Sequence, residues 1–209
     1  MNDSSSLSQR LLQQLQGGGI EQIAQQLGTD HGQTQSAVAS VLPLLMGALG
    51  RNAQQPGGAD ALLGALQRDH AGTSSGSGFD LGGLLGSVLG GGNSTAQTDG
   101  AGILGHIFGG NADQATTGVS QATGLDSSKS SQLLQLLAPI VMSFLAQHFL
   151  QKGNGDSAQL GQALGQEHQN AEAQGGLSAL LGGTLDRDGD GQVGASDLLK
   201  IGSGLFGKQ

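Results

Sequence analysis

The sequence predicts an all-α protein, a small helical bundle made of two duplicated helical units joined by Gly-rich linkers. Three observations predict it. Leucines and other aliphatic residues recur at helical spacing rather than in alternation. Aromatic residues are only 2% of the chain, with no Trp and no Tyr, and residues of that kind are the ones that favour strands. Gly, Asp and Pro stand at the positions where helices stop, start and bend, and the same punctuation occurs twice.

Leu7 to Gln16 carries leucines at 7, 11, 12 and 15, one face of a helix, and Gly17-Gly18-Gly19 ends it. Ile20 to Leu27 is a second short helix with Ile20, Ile23, Ala24 and Leu27 on one side. Gly28 is its expected stop, because Gly takes the left-handed cap without a Cβ clash. Thr29 and Asp30 supply an acceptor for the first-turn N–H groups of the next helix. That helix passes through Val38, Val41 and Leu42 to Pro43, where a missing N–H should kink it or restart it. Leu44 to Leu49 continues it, and Gly50 is the expected end.

The pattern then returns. Val119 to Leu145 aligns without a gap on Ile23 to Leu49, an offset of 96 residues. Gln25, Gly28, Asp30, Pro43, Met46 and Leu49 become Gln121, Gly124, Asp126, Pro139, Met142 and Leu145. These identities include the helix stop, the cap and the mid-helix proline, which set backbone geometry, so the match reads as an internal duplication. The apolar window Leu133 to Leu150 is interrupted by Gln135, Pro139, Ser143, Gln147 and His148. A spanning helix needs roughly 20 mostly apolar residues, so this window reads as a buried helix, and no transmembrane segment is expected.

Around these units the expected organisation is a first unit at 1–70, a Gly-rich linker with short helices at 71–110 and a second unit at 111–150. A polar helix or linker at 151–176 and a C-terminal loop segment at 177–209 complete it. Ala61 to Leu66, Leu81 to Leu89, Ile103 to Phe108 and Leu177 to Leu181 read as short Gly-broken helices. Thr73–Gly78 and Gly90–Gly102 have linker composition. Gln151–Gly176 contains one amphipathic helix with Leu160, Ala163 and Leu164 on its apolar face.

Chemistry is concentrated in one place. Asp186, Asp188 and Asp190 alternate, so that three carboxylates turn to one centre, and Gly191 permits a sharp turn. Gln192 would lend its backbone carbonyl, Val193 pins the loop, and Asp197 closes it where a bidentate Glu is usual. The loop resembles EF-hand and dockerin-type calcium loops, and Ca2+ is the expected ion. The shorter closing arm should weaken calcium and narrow its preference over magnesium. With a single loop, an entry broken by Gly182-Gly183 and only three Met, the expected job is a structural clasp rather than a sensor that opens a Met-rich groove.

At the duplicated segments the chain resembles the bacterial domain of unknown function 937 family, the YidB-like group. The residues that carry the resemblance are Ile23-Ala24-Gln25-Gln26-Leu27-Gly28-Thr29-Asp30, Val38, Leu42, Pro43 and Leu49. In the second copy they are Gly124-Leu125-Asp126, Leu137, Pro139 and Leu145. It covers roughly residues 10 to 150. The resemblance implies a small all-helical bundle of bacterial origin, and it supplies no activity and no catalytic residue.

Other signals are weak. Gly72-Thr73-Ser74-Ser75-Gly76 has nucleophile-elbow spacing without the strand and helix that must flank it. Gly100-Ala101-Gly102-Ile103-Leu104-Gly105 has dinucleotide-fingerprint spacing without a preceding strand. Among 40 glycines such matches arise by chance. No two of the five histidines stand at ligand spacing. Net charge is −8, from 8 basic and 16 acidic residues, which disfavours nucleic acid and anionic lipid. Residues 20–42 could be read as a helix-turn-helix, the basis of an alternative role as a DNA-associated regulator. However, residues 20–50 hold no Lys or Arg for phosphates. The expectation is a non-enzymatic calcium-binding helical protein, a structural or interaction module. Its partner would be an unidentified protein or a second copy of itself. The polar N-terminus, without a signal-peptide pattern, implies a cytoplasmic location.

Overall fold

The computed structural model of the chain describes residues 6–70, 99–151 and 155–173. Among them every regular element is helical. The elements are α1 (Leu7–Leu15), α2 (Gly19–Leu27), α3 (His31–Ala53), α4 (Gly58–Ala65), α5 (Gly100–Phe108), α6 (Ala112–Thr123), α7 (Ser127–Ala146) and α8 (Ser157–Ala173). A π-helical turn extends α4 over Leu66–His70, and another extends α7 over Gln147–Gln151.

The caps form where the residue types demand them. Gly28 closes α2 at φ 60° and Gly124 closes α6 at φ 71°, both left-handed. Two residues later the chain turns back into a helix. The Asp30 carboxylate accepts from Gln33 N–H at 2.8 Å, and the Asp126 carboxylate from Lys129 N–H at 2.9 Å. Such a cap is worth about 1 kcal/mol. Neither proline restarts its helix: α3 runs through Pro43 and α7 through Pro139. Each ring withholds one N–H from the carbonyl four residues earlier. Ala39 is exposed, so its carbonyl can turn to water. The Gln135 carbonyl is instead covered by the start of α5, where a Cβ on Gly100 would run into it.

Gly50 does not end α3, contrary to expectation. It is buried in the last turns of a helix that continues to Ala53. Its missing side chain serves a neighbour, because a Cβ there would meet the Leu164 carbonyl of α8. Gly100–Gly102, expected as linker, are the first turn of α5, capped by the Asp99 carboxylate on Gly102 N–H at 2.9 Å. The amphipathic helix expected within Gln151–Gly176 is α8, with Leu160 and Leu164 fully buried and Ala163 partly so.

Among the described residues the core is one continuous apolar cluster around α3 and α7, mostly aliphatic with Phe144 and Phe149. In α7 nearly every residue from Leu133 to Ala146 is buried, as expected for that window. Ser127–Leu150 has the length and hydropathy of a membrane-crossing helix, but 78% of its apolar window is enclosed by the other helices. The halves 6–70 and 99–173 interleave. α2 packs on α3 and also reaches α7, while α6 packs on α7 and also reaches α3. α8 lies along α3, and the turn after α4 lies on α7.

One polar pair differs between the halves. Thr34 is fully buried, and its hydroxyl bonds Thr29 Oγ1 at 2.8 Å and the Asp30 carbonyl at 2.9 Å. At the offset of 96 these positions are Ser130 and Leu125. Ser130 is equally buried, and its hydroxyl has no hydrogen-bond partner. An unmade buried bond costs about 1–3 kcal/mol. Ser130→Ala should therefore raise stability by about 1 kcal/mol, whereas Thr34→Ala should lower it by a similar amount. Urea midpoints of the two variants check the opposite signs, and a destabilised Ser130→Ala would refute the assignment.

Candidate functional site

The predicted calcium ligands Asp186, Asp188, Asp190, Gln192 and Asp197 lie outside the described residues. Among the described residues no group of three or more His, Asp or Glu side chains is placed to hold a metal. Among the described residues a buried polar cluster lies elsewhere, where α8 meets the start of α1.

Glu167 is 4% exposed. One carboxylate oxygen accepts from Leu7 N–H at 2.6 Å, and the other from the Ser8 hydroxyl at 2.8 Å. The Ser8 hydroxyl lies 2.9 Å from that of Ser6, which caps Gln9 N–H. The first turn of a helix has N–H groups with no intrahelical acceptor and carries the positive end of the helix dipole. A buried carboxylate is tolerated only with such partners. Glu167 therefore ties residue 7 to residue 167, and the tie holds the beginning of the described chain against its last helix.

Sequence reasoning missed Glu167, although a signal was present. Leu160, Leu164, Glu167 and Ala171 are spaced four, three and four residues apart, so the Glu falls on the apolar stripe of α8. All four are buried. Next to it, His168 places Nε2 3.5 Å from Glu172 across one helical turn, and its Nδ1 is buried without a partner. This His–Glu contact sits at a helix surface with Glu172 open to solvent, where such pairs contribute little. His148 stacks on Phe144 with ring centroids 6.0 Å apart and meets Phe149 edge-on at 5.0 Å, a packing role.

Two more side chains join the halves. The Asn52 amide in α3 donates to the carbonyls of His106 and Ile107 at 3.2 and 2.9 Å, satisfying the C-terminal end of α5. Lys129, in the first turn of α7, reaches the Gly28 carbonyl at 3.3 Å. In the unit read as a helix-turn-helix, Gln33 is exposed and Gln35 partly so, and that stretch holds no cation of its own.

No curated protein and no solved structure matches the chain. A family described as "Bacterial protein of unknown function (DUF937)" matches residues 9–148, from α1 to the turn that extends α7. That span takes in both caps, both prolines and both long helices, and the chain belongs to this bacterial family.

Proposed function

We propose that this is a non-enzymatic, calcium-binding helical protein whose interleaved body acts as a structural or protein-interaction module. The observation that carries the calcium reading is the spacing of Asp186, Asp188 and Asp190 ahead of Gly191, with Asp197 closing twelve positions. Loops of this type ligate through positions 1, 3, 5, 7 and 12. Here Gln192 contributes its carbonyl, and the shorter Asp197 reaches with one oxygen or through water.

The body supports the module reading. Left-handed glycines close α2 and α6, aspartates cap α3 and α7, and prolines fall at matching depth in both long helices. This likeness supports an origin of the two units by duplication. In this reading calcium clasps the segment after α8 to a duplicated helical scaffold.

Calorimetric titration of calcium into the full chain tests it. A single-site isotherm is expected, with affinity in the weaker part of the roughly nanomolar-to-millimolar span of such loops. Asp186→Ala should weaken binding by at least about tenfold, since it removes one of the charged ligands. A flat wild-type titration at millimolar calcium would dispose of the metal reading.

A further inference from the structure

Nearly every element of one half of this chain finds a seat on the other half. The α2 helix touches α7, α6 touches α3, and α8 lies along α3 and touches α1. The polar ties cross the same boundary: Glu167 to Leu7 and Ser8, Asn52 to the end of α5, and Lys129 to Gly28. So does the close backbone approach of Gly50 to Leu164. Residues 71–98 connect the halves, and 28 residues reach at most roughly 90–100 Å when extended. Covalent continuity therefore does not require both halves of one body to come from one chain.

We propose that the surface each half presents to the other also pairs two copies of this chain, by reciprocal exchange. Residues 6–70 of one copy close against residues 99–173 of a second, and the two remaining halves close likewise. The partner in the interaction-module reading is then a second copy of the chain, and to that extent the inference rests on that reading. The ion has no part in it. Exchange uses contacts already present in the single body, so it needs no additional apolar surface. Tethering favours closure within one chain at low concentration, because the linked half is held at a high effective concentration. Exchange gains ground as the protein concentration approaches that value.

Complementation between full-length chains removes the competition. Leu42 and Leu137 are both fully buried. Leu42→Asp disables the first half and Leu137→Asp the second, since an unpaired charge in the core is strongly destabilising. Each variant alone should lose its helical circular dichroism. Refolded together in equal amounts with chelator present, they can assemble one intact body from two sound halves. The mixture should recover about half of the wild-type signal and elute at twice the monomer mass, by the exchange stoichiometry. A mixture no more helical than the average of its components overturns the proposal. A chain carrying both substitutions has no sound half to lend and is the control: it should rescue neither single variant. Should either single variant stay folded, sizing of wild-type protein refolded near millimolar concentration decides: a dimer that relaxes on dilution supports exchange, and monomer at every concentration overturns it. A chain that binds calcium but does not complement loses the exchange and keeps the calcium reading.

Discussion

Gly50→Ala lowers the stability of the body by about 2 kcal/mol, whereas Gly64→Ala raises it by about 0.5–1 kcal/mol. Both glycines are helical, and in an isolated helix both changes would help, because Ala is the better helix former. The difference lies in what a methyl group meets. Nothing lies within 4 Å of a Cβ on Gly64. A Cβ on Gly50 runs into the Leu164 carbonyl, with the His168 Cβ only 2.9 Å away. A backbone carbonyl cannot rotate aside, so α8 as a whole must move outward from α3. Overpacking of this kind typically costs 1–3 kcal/mol. Gly50→Leu extends the same clash and should dislodge α8, exposing Leu160 and Leu164, each worth roughly 1.5–3 kcal/mol when fully buried. Urea denaturation gives the signs. Hydrogen exchange locates the damage: amides in α8 should lose protection in Gly50→Leu before those of α7 do. Equal stabilisation of the Gly50 and Gly64 alanine variants would mean that the close α3–α8 crossing is wrong.

The same glycine shows why part of the fold was legible in the sequence and part was not. Gly28 and Gly124 are followed two residues later by aspartate, and stop and cap together are a local signal. Both are found as read. Gly50 looks like a stop as well, since it follows an apolar run, but its role is set by a helix more than a hundred residues away in the chain. Nothing near Gly50 distinguishes a cap from a close approach. Gly100 is a similar case. It belongs by composition to a linker, yet it opens a docked helix, because Asp99 caps that helix and the backbone around Gln135 leaves no room for a side chain. Pro43 reads as a kink or a restart; α3 does not restart there and α7 runs through Pro139, because core burial on either side outweighs one missing hydrogen bond. The acidic loop at 186–197 rests on ligand spacing alone and lies outside the described residues. A carboxylate in a Gln-rich helix reads as surface, and only the unpaired N–H groups of α1 make the burial of Glu167 reasonable.

Glu167→Ala should cost about 2–3 kcal/mol, since it strands the Leu7 N–H in a buried setting where an unmade bond costs about 1–3 kcal/mol and leaves the Ser8 hydroxyl to Ser6 alone. It also removes the negative charge from the positive end of α1. Glu167→Gln keeps the shape and one carbonyl acceptor for the Leu7 N–H. The Ser8 hydroxyl can then rotate to accept from the new amide, so about 1 kcal/mol should suffice for the loss of charge. The expected order of stability is therefore wild type, Gln, Ala. For a chain of this length each kcal/mol moves the melting temperature by roughly 2–4 °C. A double-mutant cycle with Ser8→Ala isolates the second contact. The combined loss should fall short of the sum of the single losses by about 0.5–3 kcal/mol, because the two groups share one bond. The damage should also be local at first, with amides of α1 from Leu7 to Leu15 exchanging faster while α7 keeps its protection. If Glu167→Ala stays within about 0.5 kcal/mol of wild type, the range expected for surface substitutions, the carboxylate does not hold α1 to α8, and the tie between the two ends of the described chain must come from Leu7, Leu11 and Leu15 packing alone.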